Sequence, residues 1–442
     1  MIVDKNILYN ILYNMNILIF PSGSSVAQEI YDSLKYIKNT RIYGTDFDNN
    51  NYSSIYFENY IPGCPYVKNE NESLIFLSNL IKEKNINYIF PAFDNVIPFL
   101  KKYEKNMNVT VIGPELDIVQ LCNSKLLTYN RLSNKIDVPE IFLKNNIKTE
   151  DYPLYAKPII GYGSRNHTII KNDSDLKDID ENEMLILELL TGDEFTIDCF
   201  TDFRGKLLYK QARQRIRTIN GISIHSKTVD INVDIDNIAE KINNEIKMNG
   251  PWFFQVKYSK DNKLKLLEIG CRIPGAMCVN RVRGINFSWL SILNCQKCNL
   301  EPLFYNDINI ECIKMFKNIY RNNIDYKNVY CDLDDTLIIN KKVNIELMSF
   351  LYKCLNNDKK IILITRNENS LEVLKKHKIN IFDNIITLSK NKDKNGNYID
   401  RKSSYIIDKN SIFIDDSHFE KNDVKTTCNI NCFSPSEIEF LL

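Results

Sequence analysis

Apolar runs of strand length alternate with helical patterns in the first part of the chain. Such alternation is typical of a parallel sheet with helices packed on its faces. We therefore predict an α/β domain over residues 15–118, behind an N-terminal extension over residues 1–14. The turn after the first strand, Pro21–Ser25, could cradle a phosphate, but it lacks a three-glycine spacing and is interpreted as a tight turn. The predicted strands are 16–20, 41–48, 87–90 and 109–113, and the predicted helices are 26–36 and about 73–84.

Residues 253–275 predict a β-hairpin, because two strand-like runs flank a turn at Asp261-Asn262. A two-residue turn there places Gln255 opposite Glu268 on one face of the hairpin. Directly opposed side chains have Cβ atoms roughly 5 Å apart, so both could hold one Mg²⁺ through oxygen. A polar pair on a solvated face is the alternative. The apolar residues predicted to share the other face are Phe254, Val256, Tyr258, Leu267 and Ile269.

Two lysines precede a glycine-rich stretch in the middle of the chain. Lys125 lies early in a helix predicted over 118–133, and Lys157 belongs to a strand predicted over 154–158. The loop that follows can fold its backbone N–H groups over phosphates, with an ordinary glycine hairpin as the alternative. Its residues include Gly161, Gly163, Ser164 and Arg165.

The stretch 184–200 predicts two strands around a turn at Thr191–Asp193. The backbone of Leu187–Leu190 is a candidate edge for pairing with an adenine. Glu194, just after the turn, is placed to accept hydrogen bonds from ribose hydroxyls.

Three arginines alternate along the next predicted strand, so they would face one way. Arginine suits a clamp for phosphate or carboxylate groups, and an exposed basic edge is the alternative. These residues are Arg213, Arg215 and Arg217.

Polar side chains end three apolar runs in the last part of the chain. The carboxyl ends of parallel strands meet at one edge of a sheet, so carboxylates there can converge on a metal. An aspartate can also attack phosphate while a second one protonates the leaving oxygen. Acidic strand ends on an inert domain are the alternative. The residues are Asp332 and Asp334, Thr365, then Asp415 and Asp416, with Lys402 shortly before the third run.

Composition narrows the classes of function. The 442 residues allow about two to four domains. With 57 Lys+Arg against 56 Asp+Glu there is no basic stripe, so no nucleic-acid partner is expected. No apolar run of about 18 residues and no signal-peptide pattern is found, so no membrane insertion is expected. The 12 cysteines are scattered and are interpreted as free thiols, which predicts a cytoplasmic location.

The two lysines, the glycine loop, the G-x-E turn, the arginine strand and the Gln–Glu hairpin occur in an order that resembles the ATP-grasp superfamily over about 300 residues. The resemblance implies an ATP-grasp fold over 119–315, behind a Rossmann-like domain over 15–118. It implies ATP and Mg²⁺ (or Mn²⁺) as cofactors, and small-molecule carboxylate and amine substrates joined through an acyl phosphate. The residues implied to bind the nucleotide are Lys125, Lys157, Gly161, Gly163, Ser164, Glu188, Leu189, Leu190, Glu194 and Arg215.

The same resemblance implies that Gln255 and Glu268 bind the metal, and that Arg272 steadies the transferred phosphate or the acyl phosphate. The family commonly has E-x-N-x-R at this place, whereas this chain has Glu268-Ile269-Gly270-Cys271-Arg272. Glycine thus replaces the usual asparagine ligand. A water or a weaker second metal is expected to fill the gap.

The last 115 residues or so are similar to the haloacid dehalogenase superfamily, since all four motif positions are filled. The resemblance implies a Rossmannoid phosphatase domain over 328–442, behind a linker over 316–327. The motifs are separated by only 28 and 36 residues, which leaves no room for a large cap. By this resemblance Asp332 forms the aspartyl phosphate, Asp334 is the general acid and base, and Thr365 and Lys402 hold the phosphoryl group. The implied metal ligands are Asp332, Asp334, Asp415 and Asp416.

The sequence therefore predicts a multidomain protein of α/β and α+β class with two activities, an ATP-dependent carboxylate–amine ligase and a phosphatase. Two alternatives stay open. The first 315 residues could bind nucleotide only to regulate the phosphatase, or the chain could be a nucleotide-binding scaffold without turnover. A homodimer is also left open.

Overall fold

The structure, a computed structural model, describes residues 15–161, 166–219, 221–394, 396 and 398–441. The chain divides into two compact units, one ending at Lys317 and the other beginning at Asn318. None of the helices in the described ranges has the length and apolar character needed to cross a bilayer. The predicted extension over residues 1–14 lies outside the described residues.

A parallel five-stranded sheet of order β3-β2-β1-β4-β5 opens the first unit. Its central strand β1 is apolar from Ile17 to Phe20, and the two faces pack into different cores: Ile17 and Ile19 into one, Leu18 and Phe20 into the other. The prediction of a parallel α/β layer is confirmed. The strands are β1 (Met15–Phe20), β2 (Thr40–Thr45), β3 (Asn59–Ile61), β4 (Tyr88–Pro91) and β5 (Thr110–Val111); the helices are α1 (Ser25–Leu34), α2 (Ser53–Tyr56), α3 (Glu70–Lys84) and α4 (Ile97–Met107), with a 3-10 turn at Asp94–Val96.

An antiparallel four-stranded sheet of order β6-β9-β7-β8 follows. The single helix predicted over 118–133 is wrong, because Ser124 has extended backbone and divides it in two. The Ser124 hydroxyl caps the second helix by accepting from the Leu127 N–H at 3.3 Å, so Lys125 becomes the first residue of that helix. The strands are β6 (Ile141–Phe142), β7 (Leu154–Pro158), β8 (Thr168–Ile170) and β9 (Met184–Glu188); the helices are α5 (Leu116–Asn123), α6 (Lys125–Leu132) and α7 (Asp173–Leu176), with 3-10 turns at Lys144–Asn146 and Thr149–Asp151.

An antiparallel six-stranded sheet of order β14-β13-β10-β11-β12-β15 completes the unit. One face packs into an apolar core that includes Ile197 and Phe254, and alternate residues such as Thr196 and Gln255 line a cavity on the opposite face. The strands are β10 (Glu194–Thr201), β11 (Leu207–Ile219), β12 (Ile222–Val229), β13 (Gly250–Tyr258), β14 (Leu264–Gly270) and β15 (Glu311–Ile313); the helices are α8 (Val233–Ile246), α9 (Cys278–Val282) and α10 (Phe287–Cys295).

The hairpin β13–β14 confirms the predicted pairing of Gln255 with Glu268, although it reaches that pairing differently. The turn contains three residues, because Ser259 N–H donates to the Lys263 carbonyl at 2.9 Å. A β-bulge at Leu267 then restores the predicted register. The prediction that Leu267 joins the apolar face is wrong, since the buried residue there is Leu266.

A second bulge, between Arg215 and Arg217 on β11, corrects the prediction that three arginines face one way. Arg213 and Arg215 line the cavity, whereas Arg217 is exposed. The extra residue at the bulge moves Arg217 out of the alternation.

The core around Ile17 also contains Phe200, Met277 and Phe287. Segments on both sides of residue 118 therefore share one core. This packing holds the parallel sheet against the elements that line the cavity.

The unit beginning at Asn318 is built on a parallel sheet of order β20-β19-β16-β21-β22, with the central strand β16 buried throughout. Only a small hairpin and one helix lie between β16 and β19, as the short motif spacing predicted. The strands are β16 (Asn328–Cys331), β17 (Ile338–Ile339), β18 (Lys342–Val343), β19 (Lys360–Thr365), β20 (Asn384–Thr387), β21 (Ser411–Ile414) and β22 (Asn431–Phe433); the helices are α11 (Ile345–Leu355), α12 (Ser370–His377) and α13 (His418–Cys428), with 3-10 turns at Lys402–Tyr405 and Pro435–Leu441.

Candidate functional site

Two adjoining cavities lie in the first unit, one of about 180 Å³ and one of about 590 Å³. The smaller is bordered by the four-stranded and six-stranded sheets, and every described residue predicted to bind nucleotide or its metal lines it. Gly163 and Ser164 lie outside the described residues. The residues brought together are Lys125, Lys157, Gly161, Glu188, Leu189, Leu190, Glu194, Arg215, Gln255 and Glu268.

Lys157 is held at the floor of the smaller cavity by Tyr129 and by the bulge in β14. Its Nζ donates to the Tyr129 hydroxyl at 2.8 Å and to the Leu267 carbonyl at 3.1 Å, and that carbonyl also accepts from the Tyr129 hydroxyl at 2.8 Å. Burial, reinforced by the nearby Lys125 ammonium, lowers the pKa of Lys157 to about 7. Tyr129 and the Leu267 carbonyl were not predicted as partners of Lys157. The bulge that brings them together cannot be recognised from the residue types in β14.

Lys125 sits at the edge shared by both cavities. Its Nζ donates to the Gly161 carbonyl at 2.7 Å and lies 4.0 Å from Glu268 Oε2. The first turn of α6 thereby carries a cation to the beginning of the glycine loop. A phosphate bound there would meet two lysines.

The segment after β9 has the features of an adenine edge. Among the described residues, Leu189 and Leu190 make no backbone–backbone hydrogen bond, so their polar groups are free to pair with a base. The Glu188 side chain is occupied, since it accepts from Lys265 Nζ and from the Glu140 N–H at 2.9 Å. Glu188 therefore holds this edge in place through its side chain and through its N–H, which donates to the Glu140 carbonyl at 3.1 Å.

Arg215 links the predicted ribose residue to the predicted metal residue. It donates to a Glu194 carboxylate oxygen, to Gln255 Oε1 at 3.1 Å and to the Gly221 carbonyl at 2.6 Å. Lys257 Nζ lies 3.9 Å from the other Glu194 oxygen. The carboxylate at the ribose end is thus neutralised by cations on both neighbouring strands.

Gln255 and Glu268 fit a magnesium site in their chemistry. They are directly opposed across β13 and β14 and present oxygen donors toward both cavities. Mg²⁺ in nucleotide sites is held by one or two protein oxygens together with phosphates and waters, so this pair suffices.

Gly270, which stands where the family resemblance leads one to expect an asparagine, is packed against an aromatic ring. A Cβ at this position would lie 2.3 to 3.0 Å from three ring atoms of Phe253, the residue paired with Gly270 across the hairpin. No asparagine side chain fits while that ring is in place. Phe253 therefore occupies the space that a larger side chain at position 270 would need.

Arg272 lines the larger cavity and is fixed by Asp94, a residue that sequence reasoning missed. Arg272 Nε and Nη2 donate to the two Asp94 carboxylate oxygens at 2.9 and 2.7 Å, and Nη1 donates to the Ile273 carbonyl at 3.0 Å. The guanidinium carbon also lies 5.2 Å from the centre of the Phe253 ring. Because Asp94 belongs to the turn after β4, the parallel sheet supplies one wall of this cavity.

The second unit brings its own acidic groups together at the carboxyl ends of β16 and β21. Carboxylate oxygens of Asp332, Asp415 and Asp416 lie within 4.8 Å of one another, which suits a divalent cation. Lys402 is buried between two of them, with Nζ 2.8 Å from Asp332 Oδ1 and 2.7 Å from Asp415 Oδ2.

Burial shapes the charge of this group. It raises the pKa of Asp332, and the neighbouring Lys402 ammonium opposes the rise. Burial alone would lower the pKa of Lys402, but the two carboxylates outweigh it and raise that pKa, so Lys402 stays charged. Thr336 holds Asp416 by donating to Oδ1 at 3.2 Å and accepting from its N–H at 2.9 Å.

Asp334 stands apart from the three clustered carboxylates. Its side chain is exposed and accepts from Asn367 Nδ2 at 2.9 Å, while the Asn367 N–H donates to Thr365 Oγ1 at 3.1 Å. The side chain of Asp334 thus lies beside Thr365 at the edge of the sheet. Asp334 was predicted to bind the metal together with Asp415 and Asp416, but its carboxylate is not part of their cluster. Asn367 was missed because a single asparagine after a strand is common.

The first unit has the ATP-grasp fold. The model of a family described as "ATP-grasp in the biosynthetic pathway with Ter operon" matches residues 180–311. That segment contains the six-stranded sheet apart from its last residues. No curated protein sequence matches the chain significantly.

Solved structures support the same fold. A biotin carboxylase from Campylobacter jejuni, described as a complex with a β,γ-ATP compound, has a TM-score of 0.54 at 14% identity and covers 65% of this chain and 72% of its own. The biotin carboxylase domain of Hydrogenobacter thermophilus 2-oxoglutarate carboxylase, described with MgADP and bicarbonate, has a TM-score of 0.55 at 13% identity and covers 66% and 71%. An L-amino acid ligase from Bacillus licheniformis has a TM-score of 0.51 at 17% identity and covers 65% and 75%. The prediction of ATP and Mg²⁺ agrees with the β,γ-ATP compound and the MgADP named for the two biotin carboxylases.

Proposed function

We propose that the first unit is an ATP-dependent carboxylate–amine ligase that works through an acyl phosphate. The observation that carries the proposal is the convergence of Lys125, Lys157, Glu194, Gln255 and Glu268 on one cavity. The larger cavity opens beside the metal pair and has room for an acceptor acid and an amine.

In the proposed reaction a carboxylate oxygen attacks the γ-phosphorus of ATP, and ADP leaves with the electron pair of the broken P–O bond. The nitrogen of an amine then attacks the acyl carbon, and phosphate leaves with the electron pair of the C–O bond and takes up the proton that the nitrogen loses. Lys125 and Lys157 bind the phosphates, and Arg215 orients Gln255 beside them. Bound Mg²⁺ would offset the negative charge that moves during transfer.

For the second unit we propose a magnesium-dependent phosphatase. Asp332 attacks the phosphorus of a phosphoester and forms an aspartyl phosphate, while Asp334 protonates the leaving oxygen. Asp334 then takes a proton from a water that attacks the phosphorus, and phosphate is released as the bond to Asp332 breaks. The position of Lys402 between Asp332 and Asp415 supports a role in holding the phosphoryl group. The clustered carboxylates suit the metal.

The two activities suit successive steps. We propose that the ligase joins a phosphorylated amine to a sugar acid or amino acid, and that the phosphatase then removes the phosphate. The amide product keeps its phosphoester, so it would be a substrate for the second unit without further chemistry.

All 12 cysteines are thiols in the structure, which supports the proposed cytoplasmic location.

The ligase is tested by incubating the full chain with MgATP and a library of acids and amines, then measuring new amides and ADP by mass spectrometry. We expect an amide of mass acid plus amine minus water, with one ADP for each amide formed. Glu268→Gln should abolish both products. ADP release that does not depend on a carboxylate would refute ligation and favour the regulatory alternative, which the loss of one metal ligand at Gly270 makes the second candidate.

The order of steps is tested by supplying phosphorylated and unphosphorylated forms of the accepted amine separately. We expect the phosphorylated form to be preferred, with inorganic phosphate appearing in excess over ADP as the product loses its phosphoester. Asp332→Asn should stop the reaction at the phosphorylated amide. Equal use of both amines without later loss of phosphate would contradict the sequence of steps.

A further inference from the structure

The metal pair is the end of a longer polar row that crosses the six-stranded sheet. Glu268 on β14 pairs with Gln255 on β13, Gln255 pairs with Thr196 on β10, and Thr196 pairs with Arg213 on β11. All four side chains line the larger cavity. Neighbouring strands are about 4.8 Å apart, so Thr196 lies about 5 Å and Arg213 about 10 Å from the Gln255 position. These four residues are called the polar row.

Two atoms in the polar row lack a hydrogen-bond partner within the described ranges: Thr196 Oγ1 and Arg213 Nη1. Thr196 is 0% exposed and Arg213 is 4% exposed, so bulk water does not satisfy either side chain. Buried polar atoms are nearly always paired, so two unpaired atoms on residues that both line one cavity indicate a ligand there.

The rest of the Arg213 side chain is firmly held. Its Nε donates to Asp198 Oδ2 at 2.9 Å, and the same oxygen accepts from Asn280 Nδ2 at 2.9 Å. The guanidinium is therefore oriented before any ligand binds, which reduces the entropy lost on binding.

The other guanidinium groups of the cavity are differently engaged. Arg215 is paired with Glu194, and Arg272 is paired with Asp94 through two hydrogen bonds. Among the three arginines that line this cavity, Arg213 is the one whose orientation is fixed by Asp198 while its Nη1 has no hydrogen-bond partner in the described residues. An anionic ligand group would complete its hydrogen bonding.

We propose that Thr196 Oγ1 and Arg213 Nη1 bind the carboxylate of the acid substrate and hold it beside the metal pair for attack on the γ-phosphorus. This assignment rests on the proposed ligase function and names the substrate-binding half of the same site. The remainder of the acid lies in the larger cavity, where Val26, Ile222 and Phe253 provide apolar contact. A hydroxyl and an arginine one strand apart give the carboxylate two charge-assisted hydrogen bonds, one of them from a cation.

The test measures binding apart from turnover. Ligand-observed NMR titrations of the full chain, loaded with Mg²⁺ and a non-hydrolysable ATP analogue, use acetate, succinate and benzoate as probes, with their neutral amides as matched ligands. We compare the parent with Thr196→Val, which keeps the side-chain shape, and Arg213→Lys, which keeps a cation next to Asp198. Arg217→Met is the control, because it removes an exposed arginine from the same strand.

We expect the parent and Arg217→Met to bind at least one carboxylate and none of its amides. Thr196→Val should weaken that binding roughly threefold to tenfold and Arg213→Lys roughly tenfold to a hundredfold, with nucleotide affinity unchanged. Unchanged carboxylate affinity in both variants, or no carboxylate binding by the parent, would overturn the assignment.

The two failures are distinguishable. If the variants lose carboxylate binding but the parent forms no amide with any amine, the subsite stands and the ligase function falls. If the parent forms amides and the variants keep the KM of the parent for the acid, the ligase function stands and the subsite is wrong.

Discussion

Nucleotide binding should draw a proton from solution through Lys157. The pKa of this buried ammonium is lowered to about 7 in the free protein. At pH 8 about 90% of Lys157 is therefore neutral, and at pH 6 about 10% is. A phosphate beside Nζ favours the charged form and returns the pKa toward its ordinary value.

We expect MgADP binding at pH 8 to take up about 0.9 proton, and at pH 6 about 0.1 proton, through this group. The assay is calorimetric titration in three buffers of different ionisation enthalpy, where the slope of observed heat against ionisation enthalpy is the number of protons taken up. Lys157→Met removes the titrating group and serves as the reference at each pH. Lys171→Met, an exposed lysine, is the matched control and should behave as the parent.

A parent slope equal to that of Lys157→Met at pH 8 would refute the reasoning, since either Lys157 is charged before binding or no phosphate approaches it.

The stability of the free protein gives an independent check. The pKa of Lys157 in the folded protein lies below its ordinary value of 10.5, so folding disfavours the charged form of this lysine. The resulting loss of stability is fully present below pH 7, where Lys157 is charged in both the folded and the unfolded state. Relative to Lys157→Met, the free energy of unfolding of the parent should rise between pH 7 and 10.5, by up to about 5 kcal/mol.

Three further predictions address the other residues. Gly270→Asn should destabilise the protein by about 1–3 kcal/mol in urea unfolding through its clash with the Phe253 ring, and it should cost less when introduced into Phe253→Ala; an equal cost in both backgrounds would contradict the packing argument. Asp332→Asn should reduce hydrolysis of p-nitrophenyl phosphate to background while ATP-dependent ADP formation stays at the level of the parent, and residual hydrolysis at the parent rate would exclude it as the nucleophile. Asp94→Asn should lower the free energy of unfolding by about 1–3 kcal/mol, because Arg272 loses its paired carboxylate; an unchanged thermal midpoint would show that the pair contributes nothing.

The parts of the structure that follow simple periodicity were predictable from the sequence. The apolar run at β1 was placed correctly, because a strand buried on both faces is apolar at consecutive positions. The pairing of Gln255 with Glu268 was also correct, but only because the bulge at Leu267 offsets the third residue of the turn. The parallel order of the first sheet was confirmed, because it follows from strands that alternate with helices. Here local pattern and tertiary packing agree.

What escaped prediction depends on single-residue irregularities. Ser124 divides a helix because its hydroxyl competes for the backbone, and nothing in the apolar pattern around it changes. The bulge next to Arg215 and the bulge at Leu267 each add one residue to a strand. Neither position has a glycine or another residue type that would have indicated a bulge. Thr196 was overlooked because its importance lies in its neighbours across the sheet, which only the register reveals.

The bulge at Leu267 also determines which changes of length the hairpin tolerates. Removing Leu267 would leave Leu266 in the core and Glu268 still opposite Gln255, because the shortened strand resumes plain alternation. Removing Lys265 instead would shift Leu264 out of the core register. Among homologues, we therefore expect one-residue gaps in β14 at Leu267, and we expect them together with replacement of Tyr129, whose hydroxyl would lose its acceptor.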